Sequence, residues 1–198
     1  MLMEHSTLKI VILGRKITSL SDDIADRHRA LMRELVARGH EILYLERMQP
    51  GDAGRRDSEQ SYERVDRYES ILDLQQRFTQ DIHNADCVIV GSYILDGVAI
   101  GEWLTSVVPG VTAVYDAETP RTLEKLEAGE CEHLTPELIR RYDLYLSLSD
   151  GRVLKLIEQR YRSPRARHIS GSSISSEHLA LELETYIYEA AMSCAPRS

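Results

Sequence analysis

Apolar positions along this chain follow two rhythms, short dense runs and stripes spaced three or four residues apart. Residues 8–13, 41–46, 87–90, 111–115 and 143–148 are short, mostly apolar runs, the pattern of strands covered on both faces in a parallel sheet. Between them, Ile24, His28, Leu31, Leu35 and Val36 recur at helical spacing over 23–38, and Gly39 is placed as a C-cap. Ile71, Leu74, Phe78 and Ile82 make a second stripe over 70–84. Further helices are predicted around 97–108, from Thr119-Pro120, from Thr135-Pro136 and over 151–161, with short strands near 65–69 and 167–169. A last helix, within 172–191, has Ser175-Ser176-Glu177 as its cap and Leu179, Leu183, Tyr186, Ile187 and Ala190 on one face.

Strands alternating with helices predict an α/β fold: a single doubly wound, Rossmann-like, mostly parallel sheet of about six or seven strands, with a C-terminal amphipathic helix. The 198 residues divide into a flexible N-terminus at 1–7, the Rossmann-like domain at 8–170, and a helix and tail at 171–198. A chain of this length is most simply one domain and buries enough surface to need neither disulfides nor metal.

Polar residues gather where the apolar runs stop. The first run leads through Gly14 to Thr18 and Ser19, the run at 87–90 to Ser92, Tyr93 and Asp96, that at 111–115 to Asp116 and Glu118, and that at 143–148 to Ser149 and Asp150. Open parallel sheets bind ligands in the crevice beyond these strand ends. Hydroxyls of Thr18, Ser19, Ser92, Tyr93 and Ser149, with Asp96 and Asp150, are therefore candidate ligand contacts. Asp116 and Glu118 are the only candidate general base, if the protein is active. The competing reading is structural, with Asp116 or Thr119 capping the next helix and Ser92 serving a turn.

Other chemistries find little support. Gly14 is followed by Arg15, Lys16 and Ile17 with no further glycine before the helix, so the G-x-G-x-x-G approach to a pyrophosphate is missing and no cofactor is expected. Asp22 and Asp23 in the first helical turn would repel an anion there. Glu130-Cys131-Glu132-His133 groups metal-capable residues, but no second cluster completes a site, and it reads as an exposed loop. His28 reads as a boundary histidine, and no G-x-S-x-G elbow marks a hydrolase.

The formal net charge of -8 argues against nucleic acid, and the basic stretch 160–168 reads as a solvated helix end and turn. Three cysteines without CxxC spacing fit a reducing compartment. No run is long enough to span a bilayer and no signal layout opens the chain, so a cytoplasmic protein is expected.

Ile10–Gly14, Ala37-Arg38-Gly39-His40-Glu41 and Leu45-Glu46-Arg47 resemble the opening of the N-terminal, acceptor domain of bacterial GT-B glycosyltransferases. The similarity continues in Ala85–Tyr93, Gly110–Asp116, Thr119-Pro120, Thr122-Leu123, Leu126-Glu127, Tyr142–Ser147 and Ser163–Arg167. It is particularly similar to a branch related to spore-maturation proteins. The resemblance implies one of two Rossmann-like domains that face a cleft, the first taking the acceptor and the second the sugar nucleotide.

Two loops depart from that pattern. Residues 19–26 have neither Gly nor His, and Gly51-Asp52-Ala53 stand where aromatic residues are expected. The pattern fits a non-catalytic acceptor-type module that binds a protein partner, itself through the C-terminal helix, or a glycan or other small molecule. The alternative is the acceptor half of a split glycosyltransferase whose sugar-nucleotide domain is on another chain.

Overall fold

The computed structural model describes residues 7–14, 23–48, 64–169 and 175–193. Seven strands, β1 (Lys9–Gly14), β2 (Glu41–Arg47), β3 (Arg64–Tyr68), β4 (Cys87–Gly91), β5 (Val111–Asp116), β6 (Leu144–Ser147) and β7 (Ala166–His168), form one sheet. Their order is β3-β2-β1-β4-β5-β6-β7 and every pairing is parallel. The sheet is thus the doubly wound Rossmann-like arrangement, fully rather than mostly parallel among the described residues.

Successive strand side chains point to opposite faces, and the core divides accordingly. Val11, Leu13, Val88, Val90 and Tyr145 face one layer with Leu74, Phe78, Ile100 and Leu104. That layer holds α2 (Ile71–His83), α3 (Gly97–Val107), α4 (Thr119–Ala128), α5 (Pro136–Arg141) and α6 (Arg152–Gln159). Ile10, Ile42, Tyr44, Ile89 and Leu146 face the other layer with Met32 and Leu35 of α1 (Asp23–Ala37) and Leu183 and Ile187 of α7 (Ser176–Ser193).

Local chemistry sets the helix ends. Gly39 takes φ 92 after α1, a conformation that glycine adopts without steric cost. The Ser70 hydroxyl accepts from the Asp73 N–H at 3.1 Å to open α2, and Thr135 accepts from Leu138 N–H at 3.1 Å to open α5. The apolar face of α7 lies against α1 and over β5 and β6, burying Leu179, Leu183 and Ile187.

After β3 the chain returns to the other side of β1 to lay down β4. This reversal makes the β1–β4 boundary the switch point of the sheet, with a crevice beyond the strand ends. Thr18 and Ser19 lie outside the described residues. Among the described residues no helix is long and apolar enough to cross a membrane.

Candidate functional site

Strand order places the ends of β4, β5 and β6 side by side. Gly91 is in register with Tyr115, and Asp116 with Ser147. The Ser92 N–H donates to the Tyr115 carbonyl at 2.8 Å, extending the ladder one residue beyond β4. Ser92, Tyr93, Asp116, Glu118, Ser149 and Asp150 therefore share one edge of the sheet.

Asp116 is fully buried, at 0 % exposure. One carboxylate oxygen accepts the Tyr145 hydroxyl at 2.6 Å, and the other accepts the Glu118 N–H at 3.1 Å. Burial and the adjacent Asp116 charge push the Tyr145 hydroxyl far above the usual tyrosine range, so Tyr145 stays a donor. The Thr119 and Ser147 hydroxyls lie 2.7 Å apart, and the Ser147 hydroxyl accepts the Ser149 N–H at 2.9 Å. The network ties β5, β6 and the start of α4 together. Asp116 orders the turn through the Glu118 N–H, close to the capping role that the sequence offered as its alternative.

Glu118 is half-exposed and pairs with Arg121 at 3.4 Å. Asp96 stands before α3 with φ 59, makes no side-chain cap bond, and pairs with Arg47 at 3.0 Å. Ser149 is half-buried, its carbonyl 3.3 Å from His168 Nδ1, and Asp150 is exposed.

Tyr93 shares the left-handed backbone of Asp96, on a bulkier residue. Its φ of 61 lies in the left-handed region, which is costly for a bulky residue and concentrates at functional positions. Its ring packs 4.5 Å from the His133 ring. Lys125 Nζ and the Arg121 guanidinium stand 5.3 and 5.9 Å from its centroid.

His133 corrects the sequence reading. Glu130 and Glu132 are exposed, but His133 is buried beside Tyr93, and its Nδ1 lies 3.7 Å from Cys131 Sγ. The loop is held down by Gly97, where a Cβ would meet the His133 Cβ and carbonyl at 2.9 Å. Burial pushes the His133 imidazole below its usual value and the Cys131 thiol above its own, so both are neutral near pH 7. Burial also raises the Tyr93 hydroxyl. That hydroxyl feels Thr122 and Glu118 but meets neither in hydrogen-bond geometry, and Thr122 Oγ1 and His133 Nε2 are likewise buried without a partner.

Sequence reasoning missed Thr122, Lys125 and His133. Thr122 and Lys125 sit one turn apart on α4, a spacing that puts them on one face, and this was the available signal. On the opposite side of the sheet an apolar cavity opens between α1 and α7, lined by Ile12, Ile89, Leu179 and Leu183. The His28 and Tyr115 rings meet there edge to face at 5.8 Å, which places His28 at the boundary as expected. Among the described residues no cluster of three or more metal-ligating side chains forms.

A sucrose-phosphate synthase chain from Thermosynechococcus elongatus has a similar structure. The TM-score is 0.55 at 11 % identity, over 91 % of this chain and 97 % of that one. The likeness shows a GT-B-like, glycosyltransferase-like fold and, at this identity, the fold alone. No protein-family model matches the sequence, and no curated protein matches it.

Proposed function

We propose that this GT-B-like domain is an acceptor-type binding module, of the branch related to spore-maturation glycosyltransferase-like proteins, that does not catalyse sugar transfer on its own. The observation that carries the reading is Asp116. A general base must reach the hydroxyl it deprotonates, whereas Asp116 is sealed from solvent with both oxygens engaged by Tyr145 and the Glu118 N–H. A carboxylate at the strand end has become part of the scaffold, while the crevice around Ser92 and Tyr93 keeps groups able to hold a ligand. Residues 8–170 form the binding unit and 171–198 its covering helix and tail. The protein works in the cytoplasm. A protein partner would meet the outward side of α7, where Leu181 and Met192 are exposed.

Glu118 favours a second reading. It is half-exposed beside the same strand end and could act as base if a sugar-nucleotide domain were supplied by another chain. A pull-down of the tagged protein from its native cells, with mass identification and a sugar-transfer assay on the recovered complex, separates the two. The module reading expects no sugar-nucleotide-binding chain and no transfer. Recovery of such a chain, with transfer lost in Glu118→Gln, would establish the split enzyme instead.

A further inference from the structure

We propose that the recess formed by Tyr93, Thr122 and His133 binds a small oxyanion, the phosphate or carboxylate group of a ligand, with Lys125 as its counter-charge. The proposal gives a ligand class to the binding-module reading and rests on that reading.

Three observations converge on the recess. Tyr93 Oη, Thr122 Oγ1 and His133 Nε2 are all buried without a hydrogen-bond partner, while Thr122 is 0 % and His133 8 % exposed. Native proteins rarely leave buried polar atoms unpaired, and one such group calls for an explanation. Here three stand on separate elements, the β4–α3 loop, α4 and the α4–α5 loop.

All three can donate. Cys131 Sγ lies 3.7 Å from His133 Nδ1, and with the thiol donating in that contact the imidazole proton is on Nε2. A set of hydroxyls and one N–H matches the lone pairs of an oxyanion.

Charges of both signs act on the recess, and Lys125 supplies the positive one. Lys125 Nζ stands 5.3 Å from the Tyr93 ring centroid and has no carboxylate partner among the described residues. Arg121 is already paired with Glu118. Asp116 and Glu132 oppose the Lys125 charge at His133, and Asp116 and Glu118 oppose it at the Tyr93 hydroxyl, but both Asp116 oxygens are occupied, Glu118 is paired with Arg121 and Glu132 is exposed. The Tyr93 ring, carried on a left-handed backbone, contacts His133 and stands beside Lys125.

The test is a pair of NMR titrations of the full chain at pH 7.5, with sodium phosphate and with sodium acetate, at ionic strength held constant by sodium chloride. The expected result is a saturable shift of the His133 and Tyr93 ring signals, with affinity at least about tenfold weaker in Lys125→Met, a charge contribution of roughly 1.4 kcal/mol or more. The anion that saturates at lower concentration tells a phosphate-bearing ligand from a carboxylate. Thr122→Val should weaken the same response without altering surface charge. Absence of a saturable shift with either anion, or an equal shift in Lys125→Met, overturns the proposal and assigns the recess to internal water. The pull-down reports partner binding without added anion, so failure of either result is readable apart from the other.

Discussion

Glu184 on the last helix accepts a 2.9 Å hydrogen bond from His40 Nε2 at the start of the second strand, across 144 residues of sequence. The Leu8 N–H donates to the other ring nitrogen of His40 at 3.1 Å, so the imidazole proton sits on Nε2, facing the carboxylate. Arg38 Nη2 completes the site at 2.9 Å from the second Glu184 oxygen. One carboxylate thereby joins α7, the end of α1 and the edge of β2. Glu184 is 1 % exposed, so its worth depends on all these partners being in place.

Glu184→Gln should lower unfolding stability by about 1–3 kcal/mol, because Arg38 loses its charged partner and the amide cannot accept at both atoms. Urea denaturation checks this. Burial alone would raise the Glu184 carboxyl, but the Arg38 and His40 hydrogen bonds and the Arg38 charge outweigh it and hold the carboxyl below its ordinary value. A carboxyl depressed by folding contributes its full stability above the unfolded value of about 4.3 and loses it as pH falls through the folded value. The wild-type protein should therefore lose more stability than Glu184→Gln on acidification below about pH 4.3. Equal acid sensitivity in the two proteins would contradict the assignment.

Tyr145→Phe should cost about 1–3 kcal/mol, since a buried Asp116 oxygen is left without its donor. Thermal unfolding of this variant and of Asp116→Asn measures how far the network is structural. A scaffold role for Asp116 expects stability losses in both.

Gly97→Ala would place a methyl group 2.9 Å from the His133 Cβ and carbonyl. Backbone cannot yield as a flexible side-chain end can, so a loss of about 1–3 kcal/mol is expected. The ring packing of Tyr93 on His133 should change with it, visible in the aromatic NMR signals. Unchanged signals would show that the loop does not rest on Gly97.

Removing residues 175–198 would uncover the face of the sheet that Leu179, Leu183 and Ile187 bury. The truncated chain should be insoluble or molten, with near-ultraviolet circular dichroism lost. The milder Leu183→Ala should cost about 2–5 kcal/mol. A truncated chain that stays soluble and cooperatively folded would leave α7 free for a partner, contrary to its packing here.

The element order was legible because it rests on local periodicity. Val11 and Leu13 against Ile10 and Ile12, or Leu74, Phe78 and Ile82 at helical spacing, declare strand and stripe within a few residues. The crowding of Ser92, Tyr93, Asp116 and Ser149 at one sheet edge was legible for a related reason, since parallel strands joined by helices all end on the same side. The burial of His133 was not, because the Glu130–His133 stretch is polar in sequence and its histidine is covered only when α3 offers a glycine to pack on. Nor could the sequence tell whether Asp116 faces solvent. That depends on a tyrosine one strand away, 29 residues later.

What the sequence by itself determined is therefore the alternation of strands and helices, the parallel sheet and the edge at which polar groups collect, since each follows from patterns within one segment. Only the tertiary structure decided that Tyr93 meets His133, that Lys125 stands beside the Tyr93 ring, and that Glu184 closes on His40. Such pairs join segments whose separation along the chain bears no relation to their separation in space, and their energies depend on desolvation that no single segment produces alone.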